Sequence, residues 1–173
     1  MTKELLVLFA TICINCAMFL ASAEAARFGS SGYFLTMDVP VFLEQAETMG
    51  YPTVAKFANQ DDGSIVISCM DNPEYRDVIF GDDENFLSDI VSQIKYNDEA
   101  LGFKMEGHKL INLTHGHKGL VVYFSGPCNR TVLYFILHAQ QYYIGFTDND
   151  GRNLVTEKVD MCIDSIKCSK CSP

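Results

Sequence analysis

Cations are scarce in this chain of 173 residues, where 13 Lys and Arg stand against 22 Asp and Glu for a formal net charge of −9. Nucleic acids and anionic membranes both need clustered cations, so neither is expected as a partner. The acidic excess reads as solubility. No G-x-S-x-G elbow gives a serine a nucleophile's setting, and neither a phosphate loop nor a dinucleotide fingerprint occurs. A Ser-His-Asp triad is therefore unsupported, a hydrolase is the third reading behind two others, and no cofactor is implied. The chain also lacks an internal repeat, a low-complexity linker and a second long apolar run, so the part beyond the N-terminal segment has the size of one domain.

The one long apolar run, LLVLFATICINCAMFLA, comes after Lys3 and leads into ASAEAA. Small-x-small cleavage signals overlap at Ala21-Ser22-Ala23 and Ala23-Glu24-Ala25, the layout of a secretory signal peptide over residues 1–25. An uncleaved anchor fits less well, because the run is barely long enough to span a bilayer and no basic flank stops it. The expectation is a secreted or extracytoplasmic protein, free of the membrane after cleavage, with residues 26–173 forming one α/β domain that ends in a Cys-rich tail. Cys13 and Cys16 would leave with the signal, so Cys69, Cys128, Cys162, Cys168 and Cys171 remain as disulfide candidates.

Along the domain, helical and extended patterns alternate. In MDVPVFLEQAETMG, Asp38 reads as an N-cap, Pro40 as first turn, Phe42, Gln45, Ala46 and Met49 as one face, and Gly50 as the stop. TVAKFANQDDGSIVISCM is a hairpin turning at DDG. DDENFLSDIVSQIKY is a helix with Phe86, Leu87, Ile90, Val91 and Ile94 along one stripe. Two hairpins come next, and RTVLYFILHA is apolar on both faces, with His138 continuing the row of Val132, Tyr134 and Ile136 towards a covering layer. A strand apolar on both faces needs cover on both. NLVTEKVDMCIDSIK closes the chain as a helix burying Val155, Val159, Cys162, Ile163 and Ile166. The fold class expected is α+β, a central, mostly antiparallel sheet with helices on both faces.

This order of elements, with the hairpin FANQDDGSIVIS, the strand entry MEGHKLI, the Tyr- and Phe-rich hairpins with YYIGFT and the ending CIDSIK, resembles the PsbP-like α/β/α sandwich superfamily over residues 30–167. That group includes the photosystem II extrinsic protein P, a Ran-binding import factor and DcrB-type periplasmic proteins. The resemblance implies a non-catalytic binding or accessory protein, its partner a protein or small ligand left open, and it supplies no catalytic residues. The cysteines depart from the group's pattern and suggest a variant for an oxidising compartment.

By chain direction, the HGHKG turn, the end of SIVISC and the end of the last helix should gather at one end of the sandwich, with Cys128 at the other. A bond from Cys69 to Cys168 or Cys171 would close a loop of about 100 residues and contribute a few kcal/mol by chain entropy. Five is odd, so at least one thiol is free or intermolecular, with Cys162 or Cys128 the candidates. The second functional reading is a secreted metal-binding protein. His115 and His117, spaced i, i+2, would share one side of an extended strand and join Cys168 and Cys171 around Cu or Zn. A redox role for Cys168-Ser-Lys-Cys171 fits poorly, because the pair comes after a helix C-terminus rather than opening a helix.

FTDNDGRNLVTE matches an EF-hand loop at Asp148, Asp150, Gly151 and Glu157, yet Phe146 takes the place of the first carboxylate, so a turn is expected. Asn112 and Asn129 both satisfy the glycosylation sequon and matter in a eukaryotic secretory pathway. An uncovered patch of Tyr123, Tyr134, Tyr142 or Tyr143 would favour partner binding. A cavity joining His138 or His115 to carboxylates would favour an enzyme.

Overall fold

The computed structural model describes residues 25–168 apart from positions 31, 49, 150 and 151. Its centre is a seven-stranded antiparallel sheet, built by β3 (Glu44–Ala46), β4 (Thr53–Asn59), β5 (Gly63–Asp71), β6 (Lys104–Asn112), β7 (Lys118–Ser125), β8 (Arg130–Leu137) and β9 (Gln140–Asp148). The spatial order is β3-β4-β5-β9-β8-β7-β6, which leaves short β3 and bulged β6 as edges. Interior β8 is buried from Thr131 to Leu137, as a strand apolar on both faces requires.

One face carries helix α1 (Glu84–Glu99), which is capped by Asp83, whose carboxylate accepts from the Asn85 and Phe86 amides at 2.9 and 3.1 Å. Ile90, Val91 and Ile94 recur at helical spacing and pack with Leu120, Val122, Phe124, Val132, Tyr134 and Ile136. A buried polar clamp fixes the end of this helix. Asp98, 1% exposed, accepts from Arg130 Nε at 2.6 Å and from the Tyr143 hydroxyl at 2.8 Å. Arg130 Nη1 also donates to Thr147 Oγ1 at 2.5 Å. Gly145 makes room for this guanidinium, since a Cβ there would lie 3.2 Å from both terminal nitrogens.

The expectation of helices on both faces is corrected on the opposite side. There the cover is a second, three-stranded sheet, β1 (Ala25–Ser30), β2 (Leu35–Pro40) and β10 (Lys167–Cys168) in the order β1-β2-β10, with the six-residue helix α2 (Val159–Asp164). Leu35, Met37 and Val39 alternate inwards from β2 and share a core with Ile65, Ile67, Cys69, Leu133, Phe135, Ile144 and Phe146. Both faces of β8 do need cover, but a sheet supplies it as well as a helix.

Three local expectations change for the same reason. The segment read as a helix from Asp38 is the end of β2, a turn and β3. Asp38 pairs with Arg27 across the β1-β2 ladder at 2.7 Å instead of capping a helix. Val155, Val159, Cys162, Ile163 and Ile166 are buried as expected, but only Val159, Cys162 and Ile163 lie on the helix: the chain before it forms a 3-10 turn and the chain after it joins β2. His138 does not continue β8, which ends at Leu137.

Candidate functional site

β8 reverses into β9 over His138 and Ala139, whose φ angles of 51° and 66° make a left-handed two-residue turn. Such turns favour Asn-Gly, because side chains crowd the backbone at positive φ. A His-Ala pair here holds strain of the kind that collects at functional sites. The turn is fixed from outside, where the Asn72 amide donates to the Ala139 carbonyl at 2.7 Å. Asn72 also caps the 3-10 turn Pro73–Tyr75, accepting from the Glu74 amide at 3.2 Å.

From that turn the chain crosses the start of β7 as Arg76, Val78, Ile79 and Phe80. Phe80, 4% exposed, anchors the crossing, with its ring centroid 5.4 Å from Tyr134 and 6.3 Å from Phe86. Gly81, at φ 90°, lets the Lys118 stem pass, since a Cβ there would come within 2.8 Å of its Cδ. Lys118 Nζ then lies 2.7 Å from Asp82 Oδ1 and 3.4 Å from the Gly81 carbonyl, pinning the crossing to β7.

Between the crossing and the hairpin tip lies a cavity of about 290 Å³. Its walls are Arg76, His117, Lys118 and His138, and its apolar lining comes from Val78, Ile79, Phe80, Ile136 and Leu137. No carboxylate lines it, although the chain carries a net charge of −9. Asp82 offsets Lys118, whereas the Arg76 guanidinium has no ion pair or hydrogen-bond acceptor among the described residues. A second groove, of about 210 Å³ between α1 and strands β5 and β9, is lined by Ile90, Ile94, Met70, Tyr134, Tyr143 and uncharged neighbours. The two cavities therefore differ in charge.

The other residues singled out from the sequence are spread over the fold. Cys69 and Cys162 are buried in the core between the two sheets. Burial, with Asp71 nearby, pushes the Cys69 thiol up to about 11, and burial with Asp38 pushes Cys162 up to about 12. Neither is a nucleophile near neutral pH. Cys128 is half-buried in the turn between β7 and β8, at the opposite end from the cavity, and it is not joined to Cys69 or Cys162. The Cys168 backbone pairs with Leu35 through β10, and Cys171 lies outside the described residues.

His115 falls in the 3-10 turn Thr114–Gly116 rather than on an extended strand, so strand spacing does not align it with His117. That turn sits beside the chain leading to Cys168, because Thr114 Oγ1 donates to the Ile166 carbonyl at 2.6 Å. Among the described residues no cluster of His, Cys, Asp and Glu is arranged to hold a metal. Asn112, at the end of edge strand β6, and Asn129, in the turn before β8, are both exposed. Asp148 is buried and accepts from the Val155 amide at 2.8 Å and from the Thr156 amide and hydroxyl, so its carboxylate organises a turn after a strand. Tyr134 and Tyr142 are buried, and Tyr123 and Tyr143 half-buried, so no open tyrosine patch forms.

Sequence reasoning takes His138 for a strand residue and passes over Arg76. The signal lies in NPEYRDVIFGDD, where Asn-Pro and Gly mark a loop and Val-Ile-Phe gives that loop an apolar centre it must place somewhere.

At the level of sequence, no protein-family profile and no curated relative matches. Solved structures do match. The cyanobacterial PsbP of Synechocystis sp. PCC 6803 superposes with a TM-score of 0.63 at 9% identity, covering 86% of this chain and 95% of its own. The Ran-binding protein Mog1p of Saccharomyces cerevisiae gives 0.56 at 8% identity, covering 86% of this chain and 97% of its own. At such identities the likeness concerns architecture, and it extends over nearly the whole of both neighbours. The chain has the PsbP-like fold.

Proposed function

We propose that this chain is an exported, non-catalytic binding protein whose recognition site is the cavity beside the His138 turn. The observation that carries this reading is the lining, in which Arg76, His117, Lys118 and His138 surround an apolar floor with no carboxylate among them. A wall of cationic and imidazole groups with no carboxylate, set over apolar side chains, suits holding a group of opposite charge. Mog1p is described as Ran-binding, so a protein of this fold can serve as a partner-binding surface. Export would come from the signal segment at residues 1–25.

A bond from Cys69 to Cys168 or Cys171 would then hold the C-terminal end. In support, β10 sets the Cys168 backbone opposite Leu35, and Leu35 shares a buried cluster with Cys69. Asn112 and Asn129 offer exposed acceptors if the export route glycosylates. The second reading, a metal held by His115, His117, Cys168 and Cys171, draws support from the Thr114 contact that brings the two segments side by side. Intact mass of the secreted protein, native and denatured, before and after reduction, separates the two. A disulfide appears as a gain of two protons on reduction, and a metal as mass lost on denaturation.

The recognition site is tested by site-specific photo-crosslinking in the cells that secrete the protein. A photoreactive residue at Ile79, 72% exposed at the cavity, should give a discrete adduct, whereas one at Tyr96, 76% exposed on the far side of α1, should not. Equal products from both positions, or none from Ile79, would contradict the reading.

A further inference from the structure

The chemistry of the cavity narrows what it can hold. Arg76 is exposed and its guanidinium is unengaged among the described residues, so a planar fork of N–H donors is open to an incoming anion. Phe80, Ile136 and Leu137, each 4% exposed, line the same cavity. A fully hydrated anion would leave this apolar wall unused. An apolar group without charge would have no reason to prefer this cavity over the groove beside α1, which is uncharged throughout.

We infer that the cavity takes a carboxylate carried on an apolar stem, with the carboxylate on Arg76 and the histidine edge and the stem against Phe80, Ile136 and Leu137; this rests on the cavity being the recognition site. A single negative charge fits better than a phosphate dianion. Lys118 is already offset by Asp82, and Asp77 comes directly after Arg76, so the field supports little more than one added charge. A cavity of about 290 Å³ lies at the small end of ligand sites and suits a short stem. The carboxylate could belong to a free organic acid or to the C-terminus of a peptide with an apolar last residue, two sources of the same chemistry.

The test is a titration of the isotope-labelled secreted protein monitored by amide NMR, with hexanoate, hexylamine, inorganic phosphate, and a short peptide ending in leucine as free acid or as amide. Hexanoate should shift amides around Arg76, His117 and His138 with a Kd on the order of 1 mM. Hexylamine and phosphate should bind at least about tenfold more weakly. If the peptide acid binds more tightly than hexanoate and its amide does not, the source is a chain terminus; if hexanoate binds and the peptide does not, it is a free acid. Arg76→Gln should weaken hexanoate about tenfold while amides outside the cavity stay unchanged. His138→Asn, which suits a positive φ, should keep the turn and weaken binding by a smaller factor. Hexylamine binding as well as hexanoate, saturable shifts confined to the groove beside α1, no saturable binding by either carboxylate, or an Arg76→Gln variant that binds unchanged would each overturn the inference. An Ile79 adduct with no carboxylate binding would remove this ligand class and leave the recognition site standing, whereas loss of both would remove the site itself.

Discussion

His138 and Ala139 hold a conformation that costs a residue bearing a Cβ about 1–2 kcal/mol each. Only His138 lines the cavity, so the strain at Ala139 can be removed without touching the site. Ala139→Gly should stabilise the protein by about 0.5–1 kcal/mol, raising the melting temperature by roughly 1–4 °C. A fall in melting temperature would show that the turn is not left-handed there. The buried thiols make a second prediction at this scale. In the reduced protein, Cys69 and Cys162 titrate near 9.0 when unfolded, and about 11 and about 12 when folded. Both hold their protons more tightly in the native state, so the stability this gives is complete below pH 9 and is lost as pH rises towards 11 and 12. Urea midpoints should therefore fall between pH 9 and 11. With disulfides reduced beforehand, iodoacetamide should spare both residues in the native protein at neutral pH and label them after denaturation. Core positions such as these were legible because burial tracks apolar periodicity. His138 was not, since a turn residue at the end of an apolar strand carries the same alternation as the strand itself.

At the scale of elements, α1 was readable because its cap and its apolar stripe agree with each other and with its tertiary contacts. The segment from Asp38 held two conflicting patterns, a cap and helical spacing on one side and the alternation of Leu35, Met37 and Val39 on the other. The second prevailed because β1 and β10 provide ladder partners on both sides of β2, a fact that local spacing does not contain. The clamp between α1 and the sheet was likewise invisible in sequence, since Asp98, Arg130 and Tyr143 meet only after β8 and β9 pair and the helix lands on them. Removing one member strands a buried charge. Asp98→Ala should cost about 3–5 kcal/mol in urea unfolding, and replacing both Asp98 and Arg130 by apolar residues should cost less than Asp98→Ala alone. A loss below about 1 kcal/mol for Asp98→Ala would show that the clamp is not formed.

For the whole molecule, the sequence made the antiparallel centre and its need for two covering layers legible, because β8 is apolar on both faces. It left open the identity of one layer, since an amphipathic strand and an amphipathic helix bury comparable stripes and only the partner decides. Chain direction placed Cys69 and the HGHKG turn at one end and Cys128 at the other, as found. The structure brings Arg76, His117, Lys118 and His138 to one cavity at that end of an otherwise acidic chain, and this local excess of basic groups supports the proposed recognition role. The decisive measurement is the Ile79 photo-crosslink repeated in an Arg76→Glu background, with melting temperature and amide spectrum confirming that the fold is intact. If the basic cavity is what the partner recognises, the adduct disappears; if the adduct persists at its original yield, recognition lies elsewhere on the protein.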